Sequence, residues 1–495
     1  MKKYANWLSA LYITLFSLGY SLLLTTNPLS TRFWRGDSSM FIYFGKAMRA
    51  GKLPYRDIFD HKGPMIFVLN YLGTFLPGRV TGVYWIELLC LVAGFWGVYC
   101  MVRLWLNRPL SLVTVTIYGI TLARFLENGN LTEAYALPLW IWTLYVFVRV
   151  YVKDVAIRFG EAVAIGVCVM FVFLLRANMV LSWLPLALVL FVHLCLKKDW
   201  PLLRRTVLGF LLGLMSFGVV VAIWLYSAGI WDAFVYQAFT FNFQYVNQGN
   251  FFQPLQKFTM EMLRDYSMIW VVIANGVFLL KRKKQMLGLF VGLAGTFVLT
   301  LYSASLSGRA YLHYLMLMYP IIACYIAYVL SYFACYKKYG LIGLIGLLIY
   351  IPHVREFKQD IVAQNAWLGH FGTAKTVAEN RQEVLSKEVA DYIKQHTEPE
   401  DTIYVLYDAG RLYLLSERLS NTRFFSLPAV DLNEFDGLRE EFFESFEGNL
   451  PRAIVLKQNA LKDTKQPFVQ GMQQLLAKGY KLSFENERSL VFIRE

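Results

Sequence analysis

Charge is scarce in this chain. Only 17% of its 495 residues are Asp, Glu, Lys or Arg, 57% are hydrophobic, and the mean hydropathy is +0.43. A soluble protein carries about a quarter charged residues, so a chain lying wholly in water is excluded. Cysteine supplies no scaffold. Cys90, Cys100, Cys168, Cys195, Cys324 and Cys335 all fall in or beside apolar runs, with no zinc spacing and no disulfide framework. They read as small buried hydrophobes. No Gly-rich loop stands between a strand and a helix, which removes the usual nucleotide cradle. There is no internal repeat and no low-complexity tract.

What is there is mostly apolar. Lys2 and Lys3 precede the run Trp7–Leu24, which resembles a signal peptide. No small-x-small cleavage site follows, so a retained first span with its N-terminus inside is expected. Residues 27–63 then lie outside. Met40, Phe41, Phe44, Ala47 and Met48 recur at helical spacing behind Asp37 and Ser38, either of which can cap. This predicts a short helix along the membrane surface over Ser38–Ala50. Pro64–Phe75 is apolar but too short to span, and predicts a second interfacial helix bounded by Pro77-Gly78. Further spans are expected near 82–102, 109–126, 134–150, 160–176, 178–196, 205–228, 266–280, 286–303, 311–334 and 339–352, eleven with the first.

Charge tests this order. The net charge is +14, but residues 353–495 hold 18 Lys and Arg against 22 Asp and Glu, so the excess lies in the apolar part. The loops placed inside carry Arg103/Arg108, Arg149/Lys153/Arg158, Lys197/Lys198/Arg204/Arg205, Lys281/Arg282/Lys283/Lys284 and Lys337/Lys338. Later outside loops carry only Lys257, Arg264 and Arg309. This is the positive-inside pattern of a multi-pass protein of a bacterium-like cytoplasmic membrane, and the basic charge faces anionic lipid rather than nucleic acid. The first loop is the exception, basic though outside. Past residue 352 the chain turns polar. Arg381–His396, Phe435–Phe446 and Phe468–Ala477 read as helices; Thr402–Leu406, Ala453–Leu456 and Leu490–Ile493 read as strands. The expected architecture is an α-helical polytopic membrane domain over 1–352, with an external active-site loop at 27–63 and an interfacial helix at 64–77. A small extracytoplasmic α/β domain follows over 353–495.

The chemistry-bearing residues cluster by side. Asp37, Asp57, Asp60, His61 and Lys62 stand in the first loop. Glu127 and Glu133 frame the stretch after the third span, Arg176 marks the junction of spans five and six, and Arg309, His313 and Tyr314 open span ten. Ionisable groups so close to a bilayer are costly and line polar cavities. Cations suit a phosphate; carboxylates suit a hydroxyl losing its proton. Each residue also has a plain structural role open to it. Asp37 can cap a helix, Asp57 and Asp60 can pair with Arg56 and Lys62, and Glu127 and Glu133 can be solvated. Arg176 can snorkel, His313 can be buried, and Arg309 can be an ordinary loop charge. Glu87, inside the second span, demands a partner.

The loop-one Asp, Gly51-Lys52-Leu53-Pro54-Tyr55-Arg56-Asp57, Asp60-His61-Lys62-Gly63-Pro64, the acidic stretch after span three and His313-Tyr314 together resemble the GT-C superfamily. The pattern covers most of residues 1–335 and is similar to bacterial aminoarabinose transferases and protein O-mannosyltransferases, which use polyprenyl-phosphate-linked sugars. The chain departs from many relatives at Ser38, where they carry a second acidic residue, and at Gly63, where they carry Pro. These departures leave metal use open; a divalent metal is one option.

The resemblance implies a glycosyltransferase. Its donor would be a sugar on a polyprenyl phosphate such as undecaprenyl phosphate, entering from membrane lipid. Its acceptor would be an extracytoplasmic cell-envelope glycan, a wall polysaccharide or teichoic acid. Asp37 would act as general base with inversion; Lys62, Arg176 and Arg309, with His313 and Tyr314, would hold the phosphate. Two other classes compete: a transporter or flippase of lipid-linked glycans, which predicts repeated halves, and a wall-polymer polymerase, which predicts large arginine-bearing outer loops.

Overall fold

The computed structural model describes residues 2–34, 36–78, 81–242, 251–264, 268–281, 286–335, 339–368, 374–406, 410–425, 432 and 436–495. The chain forms two compact units, each assembled from three separate stretches.

The first unit takes Met1–Leu24, Trp85–Tyr226 and Val246–Ile361. Its helices are α1 (Lys2–Tyr20), the bulk of α4 (Val83–Val102), α5 (Arg108–Leu126), α6 (Thr132–Lys153), α7 (Phe159–Phe173), α8 (Leu184–Leu196), α9 (Trp200–Ser227), α11 (Phe252–Arg264), α12 (Met268–Lys281), α13 (Leu287–Ser305), α14 (Tyr319–Cys335) and α15, which runs on to Gln364 from Tyr339. Tight three-residue-per-turn segments lead into α8 (Ala177–Trp183) and α14 (Leu312–Met318). Among the described residues seven helical segments are long and apolar enough to cross a membrane: Val83–Val102, Arg108–Leu126, Thr132–Lys153, Ala177–Leu196, Trp200–Ser227, Leu287–Ser305 and Leu312–Cys335. The other four expected intervals also hold helices, but the count of eleven spans is not reached. Phe159–Phe173 and Met268–Lys281 are too short by themselves. Phe252–Arg264 was expected to be loop. It is an amphipathic helix, with Phe258 and Met262 buried and Phe252 and Leu263 exposed.

Local chemistry sets the helix ends. Asn107 accepts the Leu110 N–H at 3.1 Å, and Pro109 needs no donor in the first turn of α5. Glu161 accepts the Arg158 N–H at 2.9 Å and takes both arms of Arg149, at 2.8 and 2.7 Å, tying the end of α6 to the start of α7. Trp140, fully buried, donates its indole N–H to the Leu317 carbonyl at 2.9 Å and packs edge-on against Trp183. That bond fixes the tight turn bearing His313 and Tyr314.

The second unit takes Thr25–Tyr84, Ser227–Tyr245 and Val362–Glu495. It contains α2 (Gly36–Arg49), α3 (Pro64–Gly73), α10 (Trp231–Val235) and the helices α16 (Ala374–His396), α17 (Arg411–Ser416), α18 (Asp436–Glu444) and α19 (Pro467–Leu476). Its sheet has β1 (Thr402–Val405), β2 (Leu419–Ser420), β3 (Ala453–Lys457), β4 (Tyr480–Glu485) and β5 (Ser489–Arg494) in the order β2-β1-β3-β5-β4. β1 pairs in parallel with β2 and β3; β5 runs antiparallel to β3 and β4. The core of this unit joins Tyr404, Ile454 and Leu456 from the strands with Phe442, Phe446, Phe468 and Met472 from the helices. Phe59 from the first loop and Phe241 from the segment after α10 are buried in the same core. The first loop is therefore part of the sheet-bearing unit, held by burial of a large aromatic ring.

Candidate active site

In the second unit the polar cluster begins at the N-terminus of α2. The helix starts at Gly36, so Asp37 and Ser38 lie within its first turn rather than ahead of it, and Asp37 sits where the helix end favours negative charge. Asp37 is half-exposed. The Lys62 ammonium stands 4.0 Å from its carboxylate and 3.9 Å from that of Asp60, with the Phe41 ring beneath it at 5.2 Å. Asp60 is buried, and its Oδ1 accepts the Lys62 N–H at 2.8 Å. Its Oδ2 has no hydrogen-bond partner among the described residues. Burial pushes the Asp60 carboxyl above the usual range, with Asp37 adding to the push and Lys62 opposing it.

The backbone of this loop is clamped by groups the sequence reading missed. Gln237 accepts the Asp60 N–H at 3.1 Å and donates to the Tyr55 carbonyl at 2.7 Å. Asn242 donates to the His61 carbonyl at 2.7 Å, and the Tyr55 hydroxyl donates to the Lys62 carbonyl at 2.8 Å. Two lone amides in the aromatic stretch 231–242 were the available signal. The His61 ring stacks near Phe241. Asp57 has a different job: it accepts the Leu53 N–H at 2.7 Å and both Arg56 nitrogens at 3.2 and 2.9 Å. Partial burial pulls the Asp57 carboxyl up, but Arg56, the Leu53 amide and Lys52 together hold it below its ordinary value. It closes the turn 53–58 and is not grouped with Asp37, Asp60 and Lys62.

The first unit holds the other cluster. Glu127, Asn128, Gly129 and Asn130 all have positive φ, a left-handed run between α5 and α6. At Gly129 a Cβ would meet the Leu24 side chain at 2.4 Å and the Glu87 carboxylate at 2.5 Å, so only glycine fits. Glu87 accepts the Asn130 N–H, which supplies the partner this buried carboxylate required. Asn130 is itself fully buried and accepts the Tyr135 hydroxyl at 2.7 Å. The turn so built presents Glu127 to His313: one carboxylate oxygen accepts the His313 backbone N–H at 3.2 Å, and the other lies 2.8 Å from its ring Nδ1. Glu133, buried in the first turn of α6, accepts Thr132 at 2.8 Å and Arg176 at 2.6 Å. The Arg176 guanidinium lies 3.8 Å over the Tyr314 ring, and the Tyr314 ring meets His313 edge-on. A small pocket is lined by Glu133, Arg176, Asn178, Ser303 and Tyr314 together with the apolar Met179, Ala304 and Leu317. Arg309 is exposed on the turn after α13, where its N–H bonds Ser307. Among the described residues no three His, Cys, Asp or Glu side chains are grouped to hold a metal ion.

The chain is similar to ArnT from Cupriavidus metallidurans bound to undecaprenyl phosphate, at 14% identity and TM-score 0.57 over 96% of each chain. The apo state of that protein matches at 14% identity and TM-score 0.59, over 98% of this chain and 97% of that one. The archaeal oligosaccharyltransferase AglB from Archaeoglobus fulgidus, in complex with an inhibitory peptide and a dolichol-phosphate, matches at 13% identity and TM-score 0.54, over 97% of this chain and 72% of that one. The chain shares its overall fold with these membrane proteins. Over residues 2–338 the sequence matches the Competence-induced Ccs4 N-terminal domain family, and the chain belongs to that family. A search of curated proteins finds no match.

Proposed function

We propose that the protein is a membrane glycosyltransferase that moves a sugar from a polyprenyl-phosphate donor to a cell-envelope glycan on the outer side of the cytoplasmic membrane. The observation that carries this is the Asp37–Lys62–Asp60 arrangement on the first loop of a GT-C fold. Asp37 is half-exposed and set where a substrate hydroxyl can reach it; Lys62 is close to both carboxylates at 4.0 and 3.9 Å yet beyond hydrogen-bond range of either. A cation so held can exchange its contacts for a phosphate.

In this reading the acceptor oxygen attacks the anomeric carbon as the bond to the phosphate oxygen breaks, with inversion. The acceptor proton passes to Asp37. The leaving group departs as polyprenyl phosphate, already a stable anion, and Lys62 stabilises its charge. Arg176, with Tyr314 against its face, and Arg309 are the other cations assigned to the phosphate. His313, Glu127, Glu133 and Asp60 orient substrate or hold these cations, while Asp57 closes the turn that leads to Asp60. The basic loops support a sidedness with those loops inside and the C-terminal domain outside. The test is sugar transfer by purified protein in nanodiscs, from synthetic polyprenyl-phosphate sugars to wall-polymer fragments. Transfer with release of polyprenyl phosphate supports the reading. No transfer from a broad donor panel, with labelled glycolipid crossing the bilayer instead, sinks it.

A further inference from the structure

The α/β region at the C-terminal end of the chain has no role in the chemistry above, yet it grips the helix that starts at Asp37. Gly410, at the entry to α17, packs directly on the backbone of α2. A Cβ there would lie 2.1 Å from the Ser39 carbonyl oxygen and 2.6 Å from its carbon. The Gly410 N–H donates to the Ser39 hydroxyl at 3.3 Å. The next residue, Arg411, is buried and donates from Nε to the Trp34 carbonyl at 2.9 Å, with a further nitrogen 3.4 Å from Ser386 on α16. Trp34 and Ser39 bracket Asp37 in sequence.

The grip continues along one face of α2, at positions spaced as a helix repeats. Tyr43 accepts the Ser420 N–H at 2.9 Å and stacks on Phe425 at 4.4 Å. Lys46 donates to the carbonyls of Tyr413 and Arg418 at 2.8 and 3.3 Å. The other end of the loop has its own anchor: the Phe59 N–H donates to the Arg423 carbonyl at 2.8 Å, one residue ahead of Asp60. A shielded domain that only covered the loop would not need backbone-to-backbone contact on both sides of the two carboxylates.

We propose that Gly410 and Arg411 are positioning residues that set where the α2 N-terminus holds Asp37, so that the C-terminal domain is the frame of the reaction site. This rests on the transferase reading for its kinetic consequence only. A shift of about 1 Å in a reacting group costs on the order of 10²-fold in rate.

The experiment uses full-length protein in nanodiscs. Gly410→Ala, Arg411→Gln and Arg411→Lys are compared with wild type and with Arg381→Ala, whose surface pairing with Glu487 lies away from the loop. Two quantities are read on folded protein, as judged by thermal melt: amide hydrogen exchange over residues 36–44, and kcat and KM for the lipid donor. Expected are faster exchange confined to 36–44 and a kcat lowered about 10- to 100-fold with KM within about threefold, in Gly410→Ala and Arg411→Gln. Arg411→Lys, which keeps a cationic donor, recovers part of the loss, and Arg381→Ala matches wild type. If Gly410→Ala does not fold, Arg411→Gln carries the test. Unchanged exchange over 36–44, or faster exchange with unchanged kcat, overturns the proposal. A wild type without transfer activity removes the transferase reading alone; the exchange measurement then upholds or overturns the positioning by itself.

Discussion

The two polar clusters differ in the distances at which their charges pair. In the first unit Arg176 meets Glu133 at 2.6 Å, and Glu127 engages both the backbone and the ring of His313. In the second unit Lys62 stands 4.0 Å from the Asp37 carboxylate and 3.9 Å from that of Asp60, and a buried oxygen of Asp60 has no partner among the described residues. Pairs at hydrogen-bond distance resist rearrangement more than these longer ones do. A buried polar atom left unmatched costs stability, and such sites cluster where chemistry is done. In the proposed reading the first loop carries the proton transfer and Lys62, and the span-end cluster holds Arg176 in place for the phosphate.

The sharpest break would come from Asp37. Asp37→Asn should lower transfer by about 100-fold or more with an unchanged melting temperature, since the group is half-exposed and acts on a proton. Equal transfer by the folded variant would mean that Asp37 only favours the helix end. Next in size is Glu133→Gln, which strands Arg176 beside a neutral amide. Removing one partner of a buried pair costs about 3–5 kcal/mol, so a clear drop in melting temperature is expected, with activity per folded molecule lowered less than about fivefold. The double variant Glu133→Gln/Arg176→Gln should recover part of that stability. If Arg176→Gln lowers turnover as much as Lys62→Gln does, the two clusters share one task and the contrast fails.

A smaller effect concerns pH. Burial keeps the Asp60 carboxyl above the usual range, so the folded protein holds that proton to higher pH than the unfolded chain does. From about pH 4, the ordinary Asp value, up to the raised value, each increment in pH therefore costs folding stability. Asp60→Asn lacks this cost and keeps an acceptor for the Lys62 N–H. Its melting temperature should gain on wild type by about 2 °C as pH rises from 4 to 7. Parallel curves would show that Asp60 titrates alike folded and unfolded. The smallest effect is expected at Arg309, exposed on its turn: Arg309→Ala should raise KM for the lipid donor by about threefold. An unchanged KM would remove Arg309 from the phosphate site.

Features with a local period were readable. The apolar spacing Met40-Phe41-Phe44-Ala47-Met48 marked α2 to within two residues at its start, and Leu385, Val389 and Ile393 marked α16. Three of the five strands were visible as short β-branched runs; β2 has two residues and leaves no pattern, and β4 is an edge strand with most of its side chains in solvent. The helix Phe252–Arg264 went unread because its buried residues are few among polar ones. The clusters were readable as residue types but not as pairings. Glu87 found a backbone N–H, which carries no side-chain signature, and Gln237 and Asn242 act on carbonyls of the first loop from about 180 residues away. Arg411 and Tyr413 are buried, and both bond backbone groups of the second unit.

Assembly from three distant stretches also has a temporal meaning. The contact between Ser39 and Gly410 spans 371 residues of chain. A ribosome adding about 5–20 residues per second needs roughly 20–70 s to travel that far. Throughout that interval the nascent first loop lacks its scaffold, and Phe59 has no core to enter. In the proposed reading, competence then arrives late, only once the last strands are made, and an incompletely synthesised chain in the bilayer is an inert one.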